Sequence, residues 1–257
     1  MNKMILYLFI GMLTINFLNS QTIKHISEID ERNVQGKTLI YVDNEKYDGV
    51  VFENYAIKKQ KYSVKNGKKE GPYEYYYENG QIKRKTFYTN NKIDGDYEEY
   101  YENGQLKIKT AFKEGKYNGA LEIYFEDGQL QGRGTLVHGE YDGVLEKYYE
   151  NGQLKRSITF NNGIQHGPYE GYYENGQIRI RTNYENGLKN GNLEKFYENG
   201  QVFVRAAYIN NKEDGVFEKY YENGQLEFKR TYKNGKEYGV SEEFAENGSP
   251  RLKASFK

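Results

Sequence analysis

A tyrosine-rich phrase returns along this chain at an interval of 24 residues, without one insertion or deletion. It reads Tyr76-Tyr77-Glu78-Asn79-Gly80-Gln81, then recurs at Tyr100, Tyr124, Tyr148, Tyr172, Phe196 and Tyr220, with a degraded copy from Phe244. Each unit opens on a glycine: Gly71, Gly95, Gly119, Gly143, Gly167, Gly191, Gly215 and Gly239. A fixed period in this range marks an array of identical supersecondary units, each too small to bury a core alone. The array spans residues 71–257, and residues 21–70 form an N-terminal segment with a degenerate unit around Tyr47–Phe52 and Lys65–Gly67. That segment reads as an N-terminal cap, because a terminal repeat must close the sheet edge. The last unit reads as the opposite cap, since Pro250 cannot donate to a ladder.

With the opening glycine as position 0, position 3 is glutamate in every unit, positions 5 and 6 are aromatic except Ala245, and position 11 is aliphatic except Pro250. Positions 8 and 9 are Asn79-Gly80, Asn103-Gly104, Asp127-Gly128, Asn151-Gly152, Asn175-Gly176, Asn199-Gly200 and Asn223-Gly224. Asn-Gly between aromatic and aliphatic runs signals a two-residue type I′ hairpin turn. A second turn signal sits at positions 19 and 20, as in Glu114-Gly115 and Asn162-Gly163. The expected fold is therefore all-β: an elongated antiparallel meander of tandem 24-residue hairpins in a single-layer sheet. A helix would carry Gly and Asn-Gly in its interior at every turn of the pattern, which is costly.

A two-residue loop at positions 8 and 9 sets position 7 opposite 10, 6 opposite 11, 5 opposite 12 and 3 opposite 14. Alternation then gives a more apolar face of positions 2, 4, 6, 11, 13, 15 and 17. The other face carries Glu74, Glu98, Glu122, Glu146, Glu170, Glu194 and Glu218 at position 3. Opposite them at position 14 stand Lys85, Lys109, Arg133, Ser157, Arg181, Arg205 and Lys229. Opposed charges across strands favour this register. A two-residue connector extends the ladder: Glu98 is expected between Lys109 and Lys83, and Glu170 between Arg181 and Lys155. Gln131 and Ser157 would leave Glu146 without a base. The position 5 residues Tyr76, Tyr100, Tyr124, Tyr148, Tyr172 and Tyr220 lie on this face at about 10 Å spacing and form a candidate binding row.

The unit Gly-x-Tyr/Leu-Glu-x-Tyr-Tyr-Glu-Asn-Gly-Gln-Leu-Lys, followed by Tyr-x-Asn-Gly-Lys, resembles the MORN repeat variant found in bacterial proteins labelled YwqK-family antitoxins. The resemblance covers all eight units. It implies a β-hairpin array and an interaction role, antitoxin-like binding of a partner protein included.

Composition narrows the function. Lysine plus arginine and aspartate plus glutamate are equal at 37 each, which gives no basic excess for nucleic acid. The absence of cysteine excludes disulfides, thiolate catalysis and cysteine-held zinc. His25, His138 and His166 do not cluster, and the position 3 glutamates recur in every unit opposite bases, unlike a catalytic pair. No loop matches calcium or phosphate motifs. No catalytic residue, metal ligand or cofactor site is therefore expected. Residues 1–20 have one early positive charge, an apolar run from Met4 to Leu18 and a small residue at Ser20, the layout of a secretory signal peptide. The expected protein is an exported, non-enzymatic interaction or scaffold module at the cell envelope. A second reading is a module that binds glycan or cell wall through the tyrosine face. The partner is expected to be another protein or a surface polysaccharide, with no nucleic acid.

Overall fold

The computed structural model describes residues 22–52 and 59–257. The expected leader, residues 1–20, lies outside the described residues. The chain forms one long sheet in which each strand pairs with the next in sequence, from Lys59–Lys65 and Lys68–Tyr76 through to Gly239–Phe244 and Pro250–Phe256. Pairing along this run is antiparallel, and each repeat contributes one hairpin, so the expected elongated meander is what forms. At the N-terminal end, Thr22–His25 adds in parallel to Gly49–Phe52. A separate three-stranded sheet of Asp30–Val34, Lys37–Val42 and Glu45–Lys46 docks on the Asn66-Gly67 turn. There Ile40 and Tyr47 exchange backbone hydrogen bonds with Gly67. Behind that contact Ile40, Tyr47, Val51, Tyr62 and Val64 form a compact buried cluster.

Of the two turns in each unit, the connector is the expected two-residue turn and the Glu-Asn-Gly turn differs from the expected geometry. At the Glu-Asn-Gly turn only the glycine is left-handed, as with Gly80 (φ 87) and Gly104 (φ 86). The Tyr77 N–H donates to Gln81 O, and the Gly80 N–H donates to Tyr77 O. This is a three-residue loop, a right-handed turn closed by a left-handed glycine, rather than type I′. The asparagine keeps ordinary dihedrals because its side chain is already engaged: Asn79 Oδ1 accepts the Gln81 N–H at 2.9 Å. The type I′ geometry appears instead at the connectors, where both residues are left-handed: Asn90 and Asn91 (φ 51 and 67), Glu114 and Gly115 (49 and 83), Asn186 and Gly187 (50 and 81).

The odd-numbered loop changes the register beside it. Position 5 pairs with position 11, as Tyr76 with Ile82 and Tyr100 with Leu106, and position 12 bulges out. Directly opposed residues share a face, so position 11 moves to the ladder face and position 12 to the apolar face. Lys107 at position 12 accordingly meets Glu99 at position 4, 3.0 Å away. A second irregularity sits at the opening glycine. Gly95 (φ 125) and Gly119 (φ 133) are left-handed, and a Cβ there would lie 3.3 Å from the Cβ of Phe87 or Ala111. Thr86 pairs with Tyr97 but Tyr88 with Ile93, which loops out two extra residues around Gly95.

Together these bulges restore one register everywhere: position 3 aligns with position 14 on both sides. The row runs Lys61, Glu74, Lys85, Glu98, Lys109, Glu122, Arg133, Glu146, Ser157, Glu170, Arg181, Glu194, Arg205, Glu218, Lys229, Glu242, Lys253. At about 4.8 Å per strand this spans on the order of 75 Å. The expected neighbours Lys83 and Lys155 are therefore replaced. Glu98 stands between Lys85 and Lys109, and Glu170 between Ser157 and Arg181. Glu146 has Arg133 beside it rather than Gln131. Ser157 is the single uncharged rung.

The opposite face carries the apolar interior. Tyr97, Leu121, Leu145 and Leu193 at position 2 are buried, as are Thr86, Thr110, Ile158, Thr182 and Ala206 at position 15. Ring contacts cover them, for example Tyr97 with Phe112 at 5.1 Å and Phe112 with Tyr117 at 4.2 Å.

Candidate functional site

The ladder face brings the sequence-predicted residues together, but in a joined form. Each tyrosine of the candidate binding row donates its hydroxyl to the glutamate two residues earlier on the same face. The pairs are Tyr76 to Glu74, Tyr100 to Glu98, Tyr124 to Glu122, Tyr148 to Glu146, Tyr172 to Glu170 and Tyr220 to Glu218, all at 2.5 to 2.9 Å. Burial of the phenol, reinforced by the adjacent carboxylate, pushes Tyr76, Tyr100 and Tyr172 up to about 12. Bases from the preceding repeat lie over the rings, with Lys85 5.9 Å from the Tyr100 centroid and Arg133 6.0 Å from that of Tyr148.

The ion pairs of the ladder concentrate in its C-terminal half. Glu194 takes Arg181 at 2.5 Å and Arg205 at 3.2 Å, Glu218 takes Lys229 at 3.0 Å, and Glu242 takes Lys253 at 2.8 Å. Arg133 donates to Glu146, and that hydrogen bond holds the Glu146 carboxyl below the usual carboxylate range. Burial disfavours the charge on Glu194, yet the two guanidiniums outweigh it and its pKa is lowered. The bases are half exposed, so each pair contributes only about 0.2–1 kcal/mol.

Two further rows connect successive repeats at the Glu-Asn-Gly end, and neither is legible in the spacing alone. The position 6 hydroxyl donates to the position 5 carbonyl of the next repeat: Tyr77 to Tyr100 O, Tyr101 to Tyr124 O, Tyr149 to Tyr172 O, Tyr173 to Phe196 O, Tyr197 to Tyr220 O and Tyr221 to Phe244 O, at 2.7 to 3.0 Å. Beside it, the Nδ2 of Asn79, Asn103, Asn151, Asn175, Asn199 and Asn223 donates to the carbonyl of the next repeat's turn glutamate. The preference for Tyr over Phe at position 6 was the available signal. The third repeat has Phe125 and Asp127 at these positions. Neither side chain can donate as Tyr and Asn do, so both connections lapse at its junction with the fourth.

Among the described residues, no group of three or more His, Cys, Asp or Glu could hold a metal ion. His138 occupies a connector turn (φ 53), and the Nδ1 of His166 accepts the Asn186 N–H at 3.4 Å. No curated protein matches the chain. The MORN repeat variant family matches at residues 69–90, 93–114, 141–162, 165–186, 189–210 and 213–234. The gap in that series falls on the third repeat, where the connecting donors are missing.

Proposed function

Because the chain belongs to the MORN repeat variant family, we propose that it serves as a non-catalytic protein–protein interaction or scaffold module, exported through residues 1–20 to the cell envelope. The observation that carries this reading is the uninterrupted register from Lys61 to Lys253, which holds many equivalent side chains in fixed order along one long sheet. Such an array offers a large partner repeated contacts without needing a pocket. Exposed apolar residues support it. Val144, Val216 and Val240 at position 1 are 49%, 43% and 46% exposed, and they share the ladder face with the glutamates two residues on. Apolar groups set among paired charges suit a protein surface of similar make-up.

The test uses the immobilised chain against an envelope extract, with soluble polysaccharides in parallel. A protein retained by the native chain and lost with Val144→Arg plus Val216→Arg, while circular dichroism is unchanged, supports the reading. Retention of polysaccharide alone overturns it in favour of a glycan-binding module, and retention of nothing overturns both. Export is checked separately by fractionation and N-terminal sequencing. A mature chain starting at Gln21 is expected, and an intact cytoplasmic chain would refute export.

A further inference from the structure

We propose that the junction of the third and fourth repeats is a recognition site for an acidic side chain of a partner protein, presented beside an apolar one. This rests on the interaction reading above and adds to the ladder face one place on the opposite face of the sheet. A cavity of about 700 Å³ opens there on the apolar face. Leu121, Ile123 and Leu145 line it, with Phe125 and Tyr149 contributing aromatic surface. Gly132 stands where other repeats carry Ile108, Ile180 or Val204, and so leaves the space unfilled.

The charges in this cavity are arranged against the stability of the sheet. Lys147 and Arg156 are directly opposite across the hairpin, and like charges in that relation repel. Their outer neighbours in the row are Gly132 and Gly171, which supply no counter-charge. Lys155 also lines the cavity, with its Nζ 4.9 Å above the Tyr149 ring. Arg156 Nε is buried without a hydrogen-bond partner in the protein. On the same face elsewhere, acids answer the bases: Lys107 with Glu99 at 3.0 Å, Lys219 with Glu227 at 2.8 Å, and Arg230, whose Nε is likewise unpartnered, with Glu243 at 2.9 Å. Glu150 and Glu174 line the cavity too, but both are exposed turn residues, and none of the ion pairs among the described residues joins them to these bases. The half-buried pair Lys147 and Arg156 thus awaits a carboxylate from outside, and the aliphatic lining takes the apolar neighbour of that carboxylate. The missing Tyr and Asn donors of the third repeat fall at the same junction, which points to one specialised place in an otherwise regular array.

The test is calorimetric titration of the full chain with N-acetylated hexapeptide amides. One set carries Glu-Leu or Asp-Phe, a control set carries Gln-Leu or Asn-Phe, and inorganic phosphate is a separate arm. The acidic peptides are expected to bind and the amide controls to bind at least about tenfold more weakly. Lys147→Glu and Arg156→Glu should each abolish the preference. Lys147→Met, which keeps the aliphatic stem, should weaken binding with the fold intact. Glu150→Gln with Glu174→Gln should tighten it, because two like charges leave the rim. Equal binding of Gln and Glu peptides, no binding at millimolar peptide, or full retention in Lys147→Met overturns the site. Phosphate binding without any peptide preference overturns a protein segment as its ligand. The same variants in the capture experiment separate the two ideas. Capture unaffected by Lys147→Glu overturns this site and leaves the scaffold reading standing. Acidic peptides bound with no protein captured would do the reverse.

Discussion

Removing the position 6 hydroxyls tests whether repeats are stitched together at the Glu-Asn-Gly end. Tyr173→Phe keeps the ring and deletes only the donor to Phe196 O at 2.7 Å. A neutral hydrogen bond contributes about 0.5–1.5 kcal/mol net. The freed carbonyl lies at the end of a strand, beside an exposed turn, where water can replace the lost donor, so the lower part of that range, about 0.5–1 kcal/mol, applies. Tyr101, Tyr149 and Tyr173 act at three different junctions, so replacing all three by Phe should cost roughly 1.5–3 kcal/mol by near-additivity. For a chain of this size that corresponds to a fall in melting temperature of roughly 3–12 °C. Phe125→Tyr should act in the opposite sense, since it restores the missing donor at the third junction, with a gain of about 0.5–1 kcal/mol. A repeat array need not unfold all at once. The assay is therefore thermal circular dichroism together with amide hydrogen exchange resolved by repeat. Loss of protection should centre on the substituted junctions. A triple variant that melts within about 1 °C of the native chain, with unchanged exchange, would refute the stitching argument and leave the hydroxyls as solvated groups.

The remaining predictions address the ladder, the phenols and the turns. Ser157→Arg fills the one uncharged rung, between Glu146 and Glu170; a gain of about 0.5–1 kcal/mol is expected, read as a higher urea midpoint that shrinks in high salt, and a neutral or lower midpoint would count against the ladder. Tyr76, Tyr97, Tyr100, Tyr172 and Tyr208 sit at about 12 in the folded chain against an ordinary 10. Folding favours the protonated phenols, so their contribution is complete below pH 10 and disappears as pH rises to about 12. Alkaline unfolding should fall in that window, with phenolate absorbance appearing alongside the loss of structure rather than before it. Gly104→Ala places a side chain at φ 86 and should cost about 1–2 kcal/mol, partly recovered by Gly104→Asn. Asn103→Gly, harmless in a type I′ loop, should instead cost about 1 kcal/mol for its hydrogen bonds to Gln105 N–H and Glu126 O; a neutral result in chemical denaturation would restore the type I′ assignment.

The sequence by itself determined the period, the hairpin unit and the pairing of position 3 with position 14. Those follow from local chemistry: left-handed glycine, alternating side chains and opposite charges at matched distances. It also showed departures in the third repeat, Asp127 in place of asparagine and Gln131 in place of a base. What only the tertiary structure decided is how neighbouring hairpins meet. Asn103 engages its side chain and leaves Gly104 alone to make the left-handed step, so the loop holds three residues and Lys107 changes face. The opening glycine then loops out two residues and returns the register, which sets Glu98 beside Lys85 rather than Lys83. Neighbouring hairpins are then joined by bonds to residues more than 20 positions away, such as the backbone Gly115 N–H to Ile93 O and the Tyr101 hydroxyl to Tyr124 O. A local pattern does not contain those bonds. Lys147 faces Arg156 within a single hairpin, but the cavity they share with Leu121 and Phe125 exists only once adjacent repeats are stacked in that register.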